Sequence, residues 1–522
     1  MINQKVTGSY YTPNFLANFI ANRVISSFHY EDLQILEPSV GDGAFVSEFK
    51  EIRNKNISLT ALDINSKELD KAKDKWDNTD KFLNIDFLDY TTDQRYSAII
   101  GNPPYIKKNL ITEDNLEKIK KIHFDEKLSE NSVNNIWTSF LIKSCTLLDQ
   151  DGIIAFVLPS ELLQVNYAKE IREFLRRKFD RVEIFTFNDL MFECKGQDTI
   201  VLIGYINHEE KGQFFTNIDS AERLINSDFI LSKNEILVEN DTKWSHHILN
   251  GYEIELLSRL KRRLNSVNDL IFSQPGIVTA ANDFFIIDKE TETKYNLNKY
   301  TKSIVKKGLY VNKKITFDET DLGILQEKNL PTRFLHLTDT DIISEDLRRY
   351  LDIGESMGIN SRYKCKKRKN WFVVPNVSTP PEAFFFKRSH LYPKIIKNKT
   401  DALVTDSAYK IKMREGFQIN SFIYSFYNSL TLVFAELEGR YYGGGVLEII
   451  PSEFKGLPVP YVNISDDIFD EFVNNFENKK SIEDILHQNN FNILNTSLGL
   501  QNWEIEELEE IRTKLINKRT RK

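Results

Sequence analysis

The sequence predicts an α/β protein, with a mostly parallel sheet in its first part and a mixed α/β domain in its second. Three observations carry this. Short apolar runs alternate with helical stretches over residues 1–215. Beyond residue 240 the pattern loosens into strand-like pieces between polar stretches, punctuated by Pro275, Pro331, Pro375, Pro380 and Pro381. Charge also segregates along the 522 residues: 28 Lys+Arg against 38 Asp+Glu in residues 1–240, 33 against 26 in 241–460, and 8 against 12 in 461–522. A net charge of −7 excludes a uniformly basic nucleic-acid binder but hides a basic middle. The expected organisation is a catalytic domain at 1–240, a second domain at 241–460 and a C-terminal helical segment at 461–522.

Taken in order, Thr12-Pro13 reads as an N-cap followed by proline at the first helical position, and Leu16, Phe19, Ile20 and Val24 then recur at helical spacing. Strand-like runs follow at Leu33–Leu36, Ser58–Leu62, Phe82–Ile85, Ser97–Ile100, Ile153–Leu158, Val182–Phe187 and Thr199–Ile206. Near the end, Trp503–Lys518 reads as a helix with acids early and bases late. Cys145, Cys194 and Cys365 form neither a disulfide framework nor a metal-ligand spacing, which suits a reducing cytoplasm and no metal. No apolar run reaches the about 18 residues of a membrane span, so no membrane association is expected.

The sharpest local signal is Ile99-Ile-Gly-Asn-Pro-Pro-Tyr105. After a strand, the Asn102 side-chain oxygen and the Pro103 carbonyl offer two acceptors in fixed directions, because consecutive prolines lock φ, and Tyr105 adds an aromatic face. Two acceptors converging on a planar exocyclic amine favour a more tetrahedral nitrogen whose lone pair can meet an electrophile. The electrophile's site is expected at Leu36-Glu-Pro-Ser-Val-Gly-Asp-Gly-Ala-Phe45, where Gly41 and Gly43 permit close backbone approach and Glu37 in place of a phosphate cradle suits an amine-bearing cofactor. Asp63 ends a second strand, where an acid receives ribose hydroxyls, and Asp86 ends a third, with Phe87 beside it for an adenine ring.

The ordered set Tyr10-Tyr-Thr-Pro13, Glu37-Pro38, Gly41-Asp-Gly43, Asp63, Asp86 and Asn102-Pro-Pro-Tyr105 resembles the S-adenosylmethionine-dependent amino-methyltransferases of DNA, and more narrowly the γ-class adenine-N6 enzymes of the TaqI type. The resemblance covers residues 1–215 and implies a Rossmann-like catalytic domain. It implies that Tyr11, Thr12, Glu37, Pro38 and the Gly41–Gly43 backbone hold the methionine end of the cofactor, Asp63 and Ile64 the ribose side, and Asp86 and Phe87 the adenine. It further implies that a flipped target base stacks between Tyr105 and an aromatic residue in a later loop; Leu190-Met-Phe-Glu-Cys-Lys-Gly196 gives Phe192, with Phe185 and Phe187 as competitors. Cytosine-C5 chemistry is disfavoured because no cysteine follows a proline.

The basic second part is then expected to read the target in double-stranded DNA. Residues 362–369 place Arg362, Lys364, Lys366, Lys367, Arg368 and Lys369 in eight positions, with Trp371 just beyond and Arg440 in a later Arg-Tyr-Tyr-Gly stretch. The implied role is the modification enzyme of a restriction-modification system, a monomer working beside a separate endonuclease. Cytosine N4, a ribosomal RNA base and a protein glutamine amide remain alternative acceptors, since each presents the same planar amine.

Overall fold

The computed structural model describes residues 12–52, 54–76, 80–187, 199–233, 243–377, 379–442 and 445–520. Two compact units emerge, one running through Ile254 and the other formed by Glu255–Tyr441 with Gly445–Thr520.

The first unit is built on β1 (Asp32–Glu37), β2 (Asn56–Asp63), β3 (Lys81–Asn84), β4 (Tyr96–Gly101), β5 (Leu148–Pro159), β6 (Arg181–Phe187), β7 (Thr199–Tyr205), β8 (Gly212–Ile218) and β9 (Ser232–Lys233), in the order β3-β2-β1-β4-β5-β7-β6-β8-β9. Pairing is parallel from β3 through β5, and β7 runs antiparallel to both its neighbours. The central strands are near-continuous apolar runs because both faces are covered. Ile99, Ile154 and Phe156 point into one core with Trp137 and Phe174, while Ala98, Ile100 and Ala155 point into the other with Leu16, Phe45 and Phe49. Helices α1 (Asn14–Ser26), α2 (Ala44–Glu51) and α3 (Ser66–Lys73) cover the second face; α4 (Glu113–Asp125), α5 (Trp137–Leu147) and α6 (Lys169–Lys178) cover the first. All seven sequence-predicted strands are present; β8 and β9, on the far edge, were not foreseen.

One local detail departs from expectation. Helix α1 begins one residue later than predicted, with Pro13 rather than Thr12 at its N-cap and no side-chain cap. A proline there lets its carbonyl start the ladder to Leu16 and Ala17, and frees the Thr12 hydroxyl for a different partner.

The second unit contains a five-stranded sheet of β10 (Ile271–Pro275), β11 (Thr316–Phe317), β12 (Ala383–Phe386), β13 (Lys394–Asn398) and β14 (Ala408–Met413), ordered β10-β14-β12-β13-β11. The helices of the C-terminal stretch, Asp466–Asn478, Ile482–Asn490 and Asn502–Thr520, belong to this unit. The last is fixed by a buried, two-pronged ion pair from Arg519 to Glu436, at 2.7 and 2.8 Å. Among the described residues, no helix is long and apolar enough to cross a membrane.

Candidate functional site

Strand order reverses between β1 and β4: the chain leaves β1 outward to β2 and β3, then returns to the other side of β1 as β4. The loops at the carboxyl ends of these two strands therefore diverge and leave a crevice. A cavity of about 200 Å³ lies there, lined by Thr12, Glu37, Pro38, Gly41, Asp63, Ile64, Asp86, Phe87 and Asn102 among the residues singled out from sequence.

Four carboxylates line it, Glu37, Asp42, Asp63 and Asp86, and three of them sit at or just past strand ends. Glu37 ends β1 with 1% of its surface exposed, and its Oε2 has no hydrogen-bond partner. Burial, reinforced by Asp42 and Asp63, holds its carboxyl well above the usual carboxylate range. A buried carboxyl without a partner is costly alone, but it is a strong receptor for a positively charged amine. Asp63 ends β2 and accepts from the backbone N–H groups of Gly41 (2.9 Å) and Asn65 (2.8 Å). Burial raises its pKa, and those two donors oppose the rise. Asp86 accepts from the Leu88 N–H at 2.8 Å and from Asn115 Nδ2 at 3.3 Å. Beside them Ile64 is 73% exposed, an apolar side chain left at the cavity wall where a flat ring can lie.

The amide of Asn102 is held at both ends. Its Nδ2 donates to Thr12 Oγ1 at 3.2 Å, and its Oδ1 accepts from the Tyr105 hydroxyl at 2.9 Å. That hydroxyl also lies 3.0 Å from the Val157 carbonyl, so two acceptors share one proton. The Asn102 carbonyl in turn accepts from Ser39 Oγ at 3.2 Å, linking the end of β4 to the β1 loop. Thr12 thus both lines the cavity and holds the Asn102 amide.

Several expectations need correcting. Tyr105 does not offer an open face: its ring is 7% exposed, packed in the core with Ile99 and Trp137, because the apolar run of β4 continues inward past the prolines. Pro103 is buried and is not among the cavity-lining residues, whereas Pro104 is. Gly43 does not line the cavity either. With φ at +78°, a Cβ there would sit 2.8 Å from Ala72 Cα, so the glycine is required by the packing of α2 on α3. Gly41 has φ +53° and open space around its missing Cβ, which leaves it the ligand-facing glycine of the pair. Tyr11 and Phe192 lie outside the described residues. Sequence reasoning missed Asn115 of α4, Ile136 just before α5, Phe140 of α5, and Ile106, which also line it. Only a helical apolar pattern marks that region in sequence, and nothing in it distinguishes a cavity wall from core.

The comparisons with known proteins follow the same division. A family model described as Eco57I restriction-modification methylase matches residues 19–192, and one described as Type II methyltransferase M.Eco57I, C-terminal domain, matches residues 241–494. The Type II methyltransferase M.AccI of Acinetobacter calcoaceticus is 24% identical over 501 residues, spanning 92% of this chain and 90% of that protein. The chain belongs to the Type II methyltransferases of restriction-modification systems. M.BanIII of Aneurinibacillus aneurinilyticus is 26% identical over an alignment of 217 residues that covers 36% of this methyltransferase and 37% of that protein. The solved structure of the Type IIL restriction-modification enzyme MmeI in complex with DNA shares the fold over 96% of this chain and 75% of that one, at a TM-score of 0.60 and 12% identity.

In the second unit of the methyltransferase the basic segment divides. Arg362, Lys364, Lys366, Lys367 and Lys369 are exposed. Arg368 is turned inward, donating to the carbonyls of Thr279 (2.8 Å) and Trp371 (3.1 Å), and burial lowers its pKa. Trp371 packs against Phe284 and Phe285 and donates to Glu355. Arg440 pairs with Glu453 at 2.9 Å, with the carboxylate 4% exposed. These three residues hold the unit together rather than presenting charge or a ring to solvent, because each has a buried partner that its long side chain reaches.

Proposed function

We propose that the protein is a site-specific DNA methyltransferase that modifies the N6 amine of adenine in double-stranded DNA, taking its methyl group from S-adenosyl-L-methionine, as the modification partner of a separate endonuclease. The observation that supports this most is the pairing of Asn102, held by Thr12 and Tyr105, with a cavity whose buried Glu37 has an unpartnered oxygen.

The residues present fit that cofactor. Glu37 suits its amino group, Asp63 its ribose hydroxyls, and Asp86, Ile64 and Phe87 its adenine. When bound, it supplies an electrophilic methyl on a sulfonium. The chain's own contribution is positioning. Asn102 Oδ1 has a second lone pair beyond the one used by Tyr105, and the Pro103 carbonyl is the second acceptor in the proposal. Together they take both N–H hydrogens of an extruded base and leave its nitrogen lone pair available. Tyr105 acts here through Asn102, and Phe192 is assigned to the outer face of the base. The exposed cations Arg362, Lys364, Lys366, Lys367 and Lys369 are assigned to backbone phosphates.

Incubation of the full chain with methyl-labelled cofactor and, in separate reactions, duplex DNA, RNA and a protein extract tests the acceptor class. Label in DNA alone is the expected result; label confined to RNA or protein would contradict the proposal.

A further inference from the structure

We propose that one face of the edge strand β10 and its neighbour β14 in the second unit's sheet contacts the target duplex, with Lys410 and Lys412 facing phosphates and Phe272 and Gln274 facing base edges. This rests on the reading of the protein as a DNA methyltransferase and names contacts that reading leaves open.

The register decides which side chains share a face. In the antiparallel pair, Phe272 sits opposite Lys412 and Gln274 opposite Lys410, while Ile271 opposes Met413 and Ser273 opposes Ile411. Met413, Ile411, Ile271 and Tyr409 are buried on one face; on the other, Ala408 is buried, Lys410 is half-buried, and Phe272, Gln274 and Lys412 are exposed. Phe272 is 53% exposed and Lys412 is exposed; among the described residues Lys412 has no ion-pair partner. Neither strand carries an acidic residue. The row continues into Arg414, whose guanidinium lies 4.0 Å from the centre of the Phe272 ring. Cations at every second residue are about 7 Å apart along a strand, a row of positive charge suited to a polyphosphate backbone.

The accompanying chemistry is that of base reading. A glutamine side chain can pair with an adenine edge in the major groove, an aromatic ring can contact a thymine methyl, and a two-stranded antiparallel ribbon is of a size that groove admits. β10 is the outermost strand, so nothing of its own sheet covers that edge. The opposing explanation is that the lysines, on the strand next to the edge, only solvate this face of the sheet.

Binding of the full chain to a duplex carrying its methylated site, and to a scrambled duplex, followed by fluorescence anisotropy across a salt series, separates the two. Lys412→Gln is expected to weaken both duplexes about fivefold and to make the salt dependence shallower by about 0.9 in log–log slope, with Lys412→Arg restoring it. Gln274→Ala is expected to cut only the preference for the specific site, by about tenfold. Cofactor binding by calorimetry and the melting curve should be unchanged in both. If the wild-type chain binds the cofactor but neither duplex, the underlying reading of the protein fails. If it binds DNA and both variants match it in affinity, salt slope and preference, this surface alone is overturned and the lysines only solvate the sheet face.

Discussion

Thr12 and Asn102, 90 residues apart in sequence, meet at 3.2 Å, with the amide donating to the hydroxyl. That bond fixes which end of the amide faces inward, and the Tyr105 hydroxyl fixes the other. Thr12→Val should therefore release the amide without emptying the cavity: kcat falls about tenfold while cofactor Kd changes less than threefold. Thr12→Ser should retain the bond and most of the rate. Single-turnover kinetics beside calorimetric cofactor titration checks the split.

Glu37 carries a pH dependence with a definite sign. Its folded pKa is raised by burial, so the folded chain holds a proton that the unfolded chain releases. Without cofactor, stability falls as pH rises from the ordinary carboxylate range through the raised value. Glu37→Gln should remove that fall and raise the melting temperature of the ligand-free chain, while weakening cofactor binding at least tenfold. Melting curves at several pH values, with and without S-adenosyl-L-methionine, would show both effects.

His123 titrates in the opposite sense. Buried between Ser132 and Thr138, its imidazole is pushed down to about 4 by desolvation. Its contribution to stability is full above the unfolded pKa and is lost as pH falls from about 6.5 toward 4, amounting to roughly 3 kcal/mol. Because α4 carries Asn115, α5 carries Phe140 and Ile136 caps α5, acid should loosen this side of the cavity first. Hydrogen exchange of α4 and α5 at pH 7 and pH 5 would register it.

Gly43→Ala forces a Cβ to 2.8 Å from Ala72 Cα on a backbone with φ +78°. The expected loss is about 2 kcal/mol of stability. Gly41→Ala, with open space around it, should cost less in stability and more in cofactor affinity. Denaturant melts of the two variants, run beside cofactor titrations, separate packing from binding.

The catalytic half was legible because a parallel sheet buried on both faces writes itself as apolar runs ending in polar residues. Glu37, Asp63, Asp86 and Asn102 each close such a run, and all four line one cavity. What sequence could not show is direction. Tyr105 points into the core, Arg368 and Arg440 turn to buried partners, and Gly43 serves a helix contact, all determined by neighbours far along the chain. Strand β8 has only three apolar residues, Phe214, Phe215 and Ile218, set among polar ones, so it does not read as an apolar run, and a single asparagine such as Asn115 on an amphipathic helix has no pattern to stand out from. In the second unit the cations drew attention as a cluster at 362–369, whereas the alternating Lys410, Lys412 and Arg414 become one surface only through the strand register.

The central claim is that Asn102 presents an acceptor to the N6 amine of adenine. Mass spectrometry of nucleosides from duplex DNA treated with the wild-type chain and with Asn102→Ala tests it most directly. The account predicts N6-methyladenine from the wild type and at least a thousandfold less from the variant, whose cofactor binding is retained. N4-methylcytosine from the wild type, or undiminished N6-methyladenine from the variant, would contradict it.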